Sequence, residues 1–99
     1  MKSPLPPPTH AYRGLQQQAA ALGWACPGSV QRRAKLGARQ LRHPVYQWTR
    51  KIKGKTVTVS LTVEQYQRLK AAIGNQRRLT RLLLAMQKLS VAAIFEENR

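Results

Sequence analysis

The strongest structural constraint in this 99-residue chain is a pair of alternating segments, residues 45–52 and 55–61, separated by Lys53-Gly54. Both segments are rich in β-branched and aromatic residues. A two-residue connection that ends in glycine is typical of a tight hairpin turn, because glycine adopts a positive φ without steric cost. The sequence therefore predicts an antiparallel hairpin whose turn also fixes the register.

The predicted register separates apolar from polar side chains. Counting back from the turn, the opposing residues are Ile52 with Lys55, Arg50 with Val57, Trp48 with Val59, and Tyr46 with Leu61. The apolar residues then share one face: Tyr46, Trp48, Ile52, Val57, Val59 and Leu61. The other face is mostly polar: Val45, Gln47, Thr49, Lys51, Thr56, Thr58 and Ser60. A slip by one residue would mix the two sets, so pattern and turn agree. This placement favours core packing for Tyr46 and Trp48 over stacking on bases.

A helix is predicted directly after the hairpin. Thr62 can cap its N-terminus, and Gln65 three residues later can complete a capping box. Apolar residues recur at helical spacing on both sides of Gly74-Asn75, which we interpret as either a kink or a break. A two-stranded hairpin is not stable alone, so its apolar face is expected to pack on this long or bent C-terminal helix.

The expected fold class is α+β. Residues 1–10 hold four of the six prolines and are expected to form a disordered proline-rich tail. Residues 11–22 favour a short helix that ends at Gly23. Residues 29–43 form a basic connector, for which we expect a loop with some helix. The N-terminal helix, the connector, the two-stranded hairpin and the C-terminal helix together make one small domain over residues 11–95.

Composition excludes several classes of protein. A single cysteine, Cys26, cannot form an intramolecular disulfide or a cysteine-based zinc site. No nucleophile–base constellation is available, because His10 lies in the predicted tail and His43 lies beside Pro44. We expect no catalytic residues, no metal and no cofactor. No apolar run reaches the ~18 residues that span a bilayer, and the N-terminus does not have the pattern of a signal peptide. We therefore expect a cytoplasmic protein without a membrane partner.

The net charge of +15 is unevenly distributed along the chain. The acidic residues are Glu64, Glu96 and Glu97, so residues 1–63 contain basic side chains and no acidic ones. Repulsion among so many cations opposes compaction unless an anionic partner supplies counter-charge. Nucleic acid is the commonest polyanion and is the first hypothesis for that partner.

Two groups of residues are candidate contacts with nucleic acid. Cations of the connector would neutralise phosphates: Arg32, Arg33, Lys35, Arg39 and Arg42. The polar hairpin face and the hairpin tip would reach bases and phosphates: Gln47, Thr49, Lys51, Lys53, Lys55, Thr56 and Thr58. The alternative is an ordinary solvated strand and charge run. The lack of nearby acids favours a polyanion surface for the connector, and the two interpretations of the hairpin face are evenly balanced.

The C-terminal helix carries a second candidate interface, an apolar stripe: Leu79, Leu82, Leu83, Met86 and Leu89. This stripe is more apolar than one hairpin and one short helix can cover. Either the N-terminal helix packs against it, or a second copy or a protein partner does.

Four segments of the chain carry a resemblance to known proteins: Pro27-Gly28-Ser29 and residues 46–58, 61–65 and 75–79. They resemble a family of short prokaryotic proteins of unknown function. Members often appear near mobile elements. The resemblance covers roughly residues 15–90, mostly through the hairpin and the start of the helix. Relatives usually carry a cysteine cluster that looks like a metal site, but residues 30–44 contain no cysteine. The resemblance therefore implies a fold and neither a metal nor an activity.

Our hypothesis from the sequence is a non-catalytic nucleic-acid-binding protein, with duplex DNA favoured over RNA, that serves as an accessory or regulator of a mobile element. Two alternatives stay open. One is a protein-interaction or dimerisation module that uses the leucine stripe. The other is an RNA- or ribosome-associated basic protein.

Overall fold

A computed structural model describes residues 4–96 and shows an α+β fold, as predicted. The elements in chain order are α1 (His10–Ala20), β1 (Ser29–Leu36), β2 (Arg39–Ile52), β3 (Lys55–Leu61) and α2 (Val63–Glu96). The strands form an antiparallel sheet in the order β1-β2-β3. The chain divides into two compact units. One contains the residues up to Gly23 and those from Arg77 onward, and the other contains Trp24–Gln76.

β2 and β3 form the predicted hairpin in the predicted register. Ile52 lies opposite Lys55, and each predicted pair is observed as far as Tyr46 with Leu61. The turn residues Lys53 and Gly54 both have positive φ, 50° and 80°. Positive φ at both positions is the type I′ backbone, whose twist matches that of the flanking strands.

The prediction of a two-stranded hairpin preceded by an irregular connector was wrong. Residues 29–36 form β1, which pairs with β2 from Ser29 opposite Thr49 to Arg33 opposite Val45. Gly37, at φ 62°, then starts a second tight turn into the extended beginning of β2. The free edge of β2 offers unpaired N–H and C=O groups, and β1 satisfies them. The hydrogen bonds that stabilise β1 are thus made with a neighbouring strand. The weak periodicity within the segment itself therefore did not reveal the strand.

The start of α2 follows the predicted capping box. The backbone N–H of Thr62 donates to Gln65 Oε1 at 2.9 Å, and the backbone N–H of Gln65 donates to Thr62 Oγ1 at 3.1 Å. Two N–H groups that the helix cannot pair internally are thereby satisfied. The last residue of β3 is therefore joined to α2 through a fixed turn.

α2 continues without a break through Gly74 and Asn75. The Asn75 side chain explains its place inside a helix, because its Nδ2 donates to the Trp24 carbonyl oxygen at 2.9 Å. One turn earlier, the Ala72 carbonyl oxygen accepts from the backbone N–H of Cys26 at 3.1 Å. These bonds hold the segment before β1 against the helix and offset the low helix propensity of asparagine.

Gly74 weakens α2 without serving a visible packing role. A Cβ at Gly74 would meet no atom of the described residues within 4 Å, apart from the nearby backbone of the helix itself. We expect Gly74→Ala to raise the free energy of unfolding by about 0.5–1 kcal/mol, because alanine loses less backbone entropy. Urea denaturation followed by circular dichroism measures the change. Gly37→Ala is the control: it also enters open space but at φ 62°, and should lower stability. A loss of stability in Gly74→Ala would contradict the prediction.

The apolar face of the sheet packs on the first part of α2, as predicted. The Tyr46 and Tyr66 rings have centroids 4.8 Å apart. Trp48 and Leu61 line a groove together with Leu69 of the helix. Ala72 and Ile73 are the only buried residues in the part of the chain that the structure describes. The core of the unit Trp24–Gln76 is therefore small. Within this unit, the sheet and the segment before β1 cover one side of α2.

α1 begins one residue earlier and ends two residues earlier than predicted. Thr9 caps it, since Thr9 Oγ1 accepts from the backbone N–H of Tyr12 at 3.2 Å. The predicted apolar stripe is half-buried: Tyr12, Leu15, Ala19 and Leu22. In the same unit, residues 5–9 and Tyr12 line a groove with residues 89–90 and 93–94 of α2. The tail predicted over residues 1–10 includes residues 1–3, which lie outside the described range.

Candidate nucleic-acid interface

The sheet turns one polar side away from α2, which we call the open face. Directly opposed residues in an antiparallel sheet point to the same side, so the observed register assigns its members. They are Ser29, Gln31, Arg33, Val45, Gln47, Thr49, Lys51, Thr56, Thr58 and Ser60. None of them is acidic. All three strands therefore contribute to one surface of carboxamide, hydroxyl and cationic side chains.

Side-chain hydrogen bonds orient the middle of the open face. The Thr49 and Thr58 hydroxyl oxygens lie 3.1 Å apart across β2 and β3. On β1, Arg33 Nη2 and Nε donate to Gln31 Oε1 at 3.2 and 3.4 Å. Gln31 lies opposite Gln47 on the central strand. The guanidinium of Arg33 is thus held by the carboxamide of Gln31, and its remaining N–H groups can donate to a ligand.

The structure brings together only part of the predicted nucleic-acid-binding set. The members on the open face are Arg33, Gln47, Thr49, Lys51, Thr56 and Thr58. Arg32 and Lys55 lie opposite Tyr46 and Ile52, so both belong to the side of the sheet that faces α2. Lys53 is in the hairpin turn.

The remaining predicted cations lie beyond an irregularity in the pairing of β1 with β2. The register shifts between Arg33 and Lys35, after which Lys35 lies opposite Gln40 and Leu36 opposite Arg39. Arg42 falls in the stretch of β2 that this shift leaves without a partner on β1. These cations are exposed near the β1–β2 turn and do not extend the open face in a regular way.

Sequence reasoning missed the contribution of β1 to the open face. Ser29 and Gln31 were assigned to a flexible connector, although they alternate with Val30, which is half-buried on the opposite side. This short alternation after Pro27-Gly28 is the signal that could have identified a strand.

Trp48 lies on the side of the sheet that faces α2 and is not available for stacking on bases. Its Nε1 donates to the Pro27 carbonyl oxygen at 3.0 Å. The Arg50 guanidinium carbon lies 3.9 Å from the Trp48 ring centroid, a cation–π contact. Both side chains are half-buried. Arg50 therefore stabilises the packing of Trp48 and contributes no group to the open face.

The predicted leucine stripe on α2 is divided in the structure. Leu82, Met86 and Leu89 are half-buried, whereas Leu79 and Leu83 are 36% and 50% exposed. Further along the helix, four large apolar side chains outside the predicted set are also exposed: Leu84, Val91, Ile94 and Phe95. The apolar residues of this part of α2 therefore lie on two faces of the helix. One face is half-buried, and the other is exposed to solvent.

Across residues 4–96, no group of three or more His, Cys, Asp or Glu side chains is placed to hold a metal ion. Within the same residues, no helix combines the length and the apolar character needed to cross a bilayer.

Comparisons with known proteins returned no match: no family model fits the chain, and no curated protein or solved structure is significantly similar to it.

Proposed function

We propose that this protein is a non-catalytic DNA-binding protein that places the open face of its sheet in the major groove of duplex DNA. The observation that supports this most is the difference between the two sides of the sheet. One side carries the aromatic residues that pack on α2. The other side, apart from Val45, presents carboxamide, hydroxyl and cationic side chains on all three strands and no acidic residue. A solvated surface without a partner ordinarily mixes charges of both signs.

The dimensions of the sheet fit this groove. Neighbouring strands are about 4.8 Å apart, so the outer backbones of three strands are roughly 10 Å apart. The major groove of B-form DNA is about 12 Å wide and accepts a two-stranded β-ribbon, so the outer strands of a three-stranded sheet would lie at its two rims. β2 would lie along the middle of the groove, and β1 and β3 would lie near the two phosphate backbones.

The side chains of the open face match the groups exposed in that groove. The carboxamide of Gln47 can pair in bidentate fashion with adenine, and the Arg33 guanidinium, oriented by Gln31, can pair with guanine. The hydroxyls of Thr56 and Ser60, near the edge of the sheet, can reach phosphate oxygens. The surface thus combines groups that read base edges with groups that fix the position of the backbone.

Titration of the full chain with labelled duplex DNA tests the proposal. If about five cations of the open face, the β1–β2 turn and the hairpin tip neutralise phosphates, log K should fall with log salt at a slope of roughly −4 to −5. Fluorescence anisotropy between about 50 and 200 mM salt covers a range in which this slope is measurable. Sub-micromolar binding that is indifferent to salt would contradict the proposal.

Parallel titrations with a single strand and with structured RNA separate the alternatives. We expect the duplex to bind most tightly, because the major groove of A-form RNA is too narrow for a sheet. Tighter binding to structured RNA would reject the duplex DNA proposal in favour of an RNA-associated role.

A further inference from the structure

The C-terminal half of α2 exposes an uncharged apolar surface, which we call the outer face: Leu79, Leu83, Leu84, Val91, Ile94 and Phe95. Between 36% and 62% of each of these residues is accessible to solvent. At about 100° per residue they fall within one arc of roughly 160° on the helix. They therefore form one continuous strip along the helix.

The outer face is distinct from the half-buried stripe and from the cations of the same helix. Leu82, Met86 and Leu89 point away from the centre of the outer face by more than roughly 100°, given the helical periodicity. The cations Arg78, Arg81 and Lys88 lie beyond its other edge. Three uncharged polar residues fall within the arc, Thr80, Ser90 and, at its centre, Gln87. The strip is therefore mostly apolar, with no cation inside it.

The unit that contains this strip has no buried residue in its described part. The two buried residues, Ala72 and Ile73, belong to the other unit. α1 and the C-terminal half of α2 are then left with half-buried contacts alone. A helical unit of this size with so little apolar burial is marginally stable, because ordering its backbone costs more than partial burial returns.

We propose that a second copy of this chain covers the outer face, so that the two α2 helices pair along residues 79–95. Typical side-chain areas give roughly 550 Å² for the six exposed residues, or about 1,100 Å² over two copies when all six are covered, which is close to the ~1,000 Å² expected of a specific interface. The strip is about 24 Å long at 1.5 Å per residue, and a second copy offers an uncharged strip of equal length. Nucleic acid has no matching chemistry, because the strip contains no cation to meet a phosphate.

Pairing would give each dimer two open faces. If the proposed function holds, each dimer carries two DNA-binding faces. The dimer itself does not depend on DNA binding, and it is tested without nucleic acid.

Sedimentation equilibrium of the full chain tests the dimer, at protein concentrations of roughly 1–100 μM and at about 0.3 M salt to screen repulsion. The expected mass is twice 11.2 kDa. Leu84→Glu/Val91→Glu should raise the dissociation constant roughly 100-fold or more, because two charges would be buried in the seam. The control Trp24→Glu/Leu36→Glu adds the same charges at sites 89% and 62% exposed in the other unit, and should stay dimeric.

Cross-linking keeps the test decisive if the Leu84→Glu/Val91→Glu variant fails to fold. Gln87→Cys, at the middle of the strip, is placed in a Cys26→Ser background so that it is the only thiol. We expect oxidation to give a disulfide-linked dimer, because residues at the midpoint of the seam meet in parallel and antiparallel pairs alike. Ala92→Cys, on the opposite side of α2, should stay monomeric under the same conditions.

Three outcomes would overturn the proposal. The first is a wild-type mass of 11.2 kDa at every concentration, and the second is equal cross-linking of both cysteine variants. The third is a monomer that binds anionic vesicles through the outer face.

Discussion

Arg33→Gln/Lys51→Gln is expected to weaken the binding of duplex DNA by a factor of roughly 100 or more at moderate salt, because the two lost charged hydrogen bonds together contribute about 3–6 kcal/mol. Both side chains belong to the open face, one on β1 and one on β2. Arg33 is also held by Gln31, so little conformational entropy is lost when it engages a ligand. Fluorescence anisotropy at fixed salt measures the change.

The matched control is Arg32→Gln/Lys55→Gln. It removes the same two kinds of charge, one from β1 and one from the same hairpin, but from the side of the sheet that faces α2. All four side chains are exposed, so neither variant removes a buried group. If only net charge mattered, the two double variants would lose affinity equally. We expect the control to lose only a few-fold, through weaker long-range attraction.

The comparison of these two variants is the most direct test of the open face. Equal losses would show that the charge of the chain acts as a diffuse field and that no defined face is used. A larger loss in the control would place the contact on the other side of the sheet. A larger loss in Arg33→Gln/Lys51→Gln, together with a smaller salt slope, would support contacts from the open face.

The hairpin was predictable because its turn sequence and the alternation of its strands indicate the same register. The Lys53-Gly54 turn determines the register, and the alternating pattern of residues 45–61 independently requires the same register. The capping box at Thr62 and Gln65 is similarly local, since both partners lie within one turn of helix. Where neighbouring residues carry the whole interaction, the sequence was sufficient.

β1 was not predictable in the same way, because its stability comes from the edge of β2. Its cations obscure the alternation, and Arg32 occupies a position on the inner side where an apolar residue would be typical. Seven of the ten residues of the open face were therefore assigned correctly from the hairpin, and Ser29 and Gln31 on β1 were missed. Arg32 and Arg33 were assigned the same role, although adjacent residues on a strand point to opposite sides.

The exposed face of α2 shows a different limit. Periodicity identified a helix with an excess of apolar residues. It could not show which of these residues contact other parts of the chain and which are exposed to solvent. That division depends on where α1 and residues 5–9 contact the helix, which sequence spacing does not encode. Leu82 and Leu83 are adjacent in sequence and were predicted as one interface, yet only Leu83 lies on the outer face.

The segment Pro27-Gly28-Ser29 has a structural role that its sequence alone did not reveal. Gly28 has φ 92°, and its Cα lies close against β2. The Pro27 carbonyl oxygen immediately before it accepts the Trp48 indole N–H. The chain therefore enters β1 through a tight approach in which the glycine has no room for a side chain.

Gly28→Ala is expected to lower the free energy of unfolding by about 2–4 kcal/mol, combining the positive φ with overpacking. A Cβ at this position would overlap the Thr49 carbonyl oxygen and lie 2.9 Å from Trp48 Nε1 and 3.1 Å from Arg50 Cβ. The first of these is backbone of the central strand, so relief requires β1 to move away from β2. Denaturation monitored by tryptophan fluorescence should show the loss, because Trp48 would lose its partner at Pro27. The control Ser29→Ala changes the next, exposed residue and should shift stability by less than about 0.5 kcal/mol. If Gly28→Ala kept wild-type stability, the close approach of this segment to β2 would be wrong, and with it the packing of β1 that completes the open face.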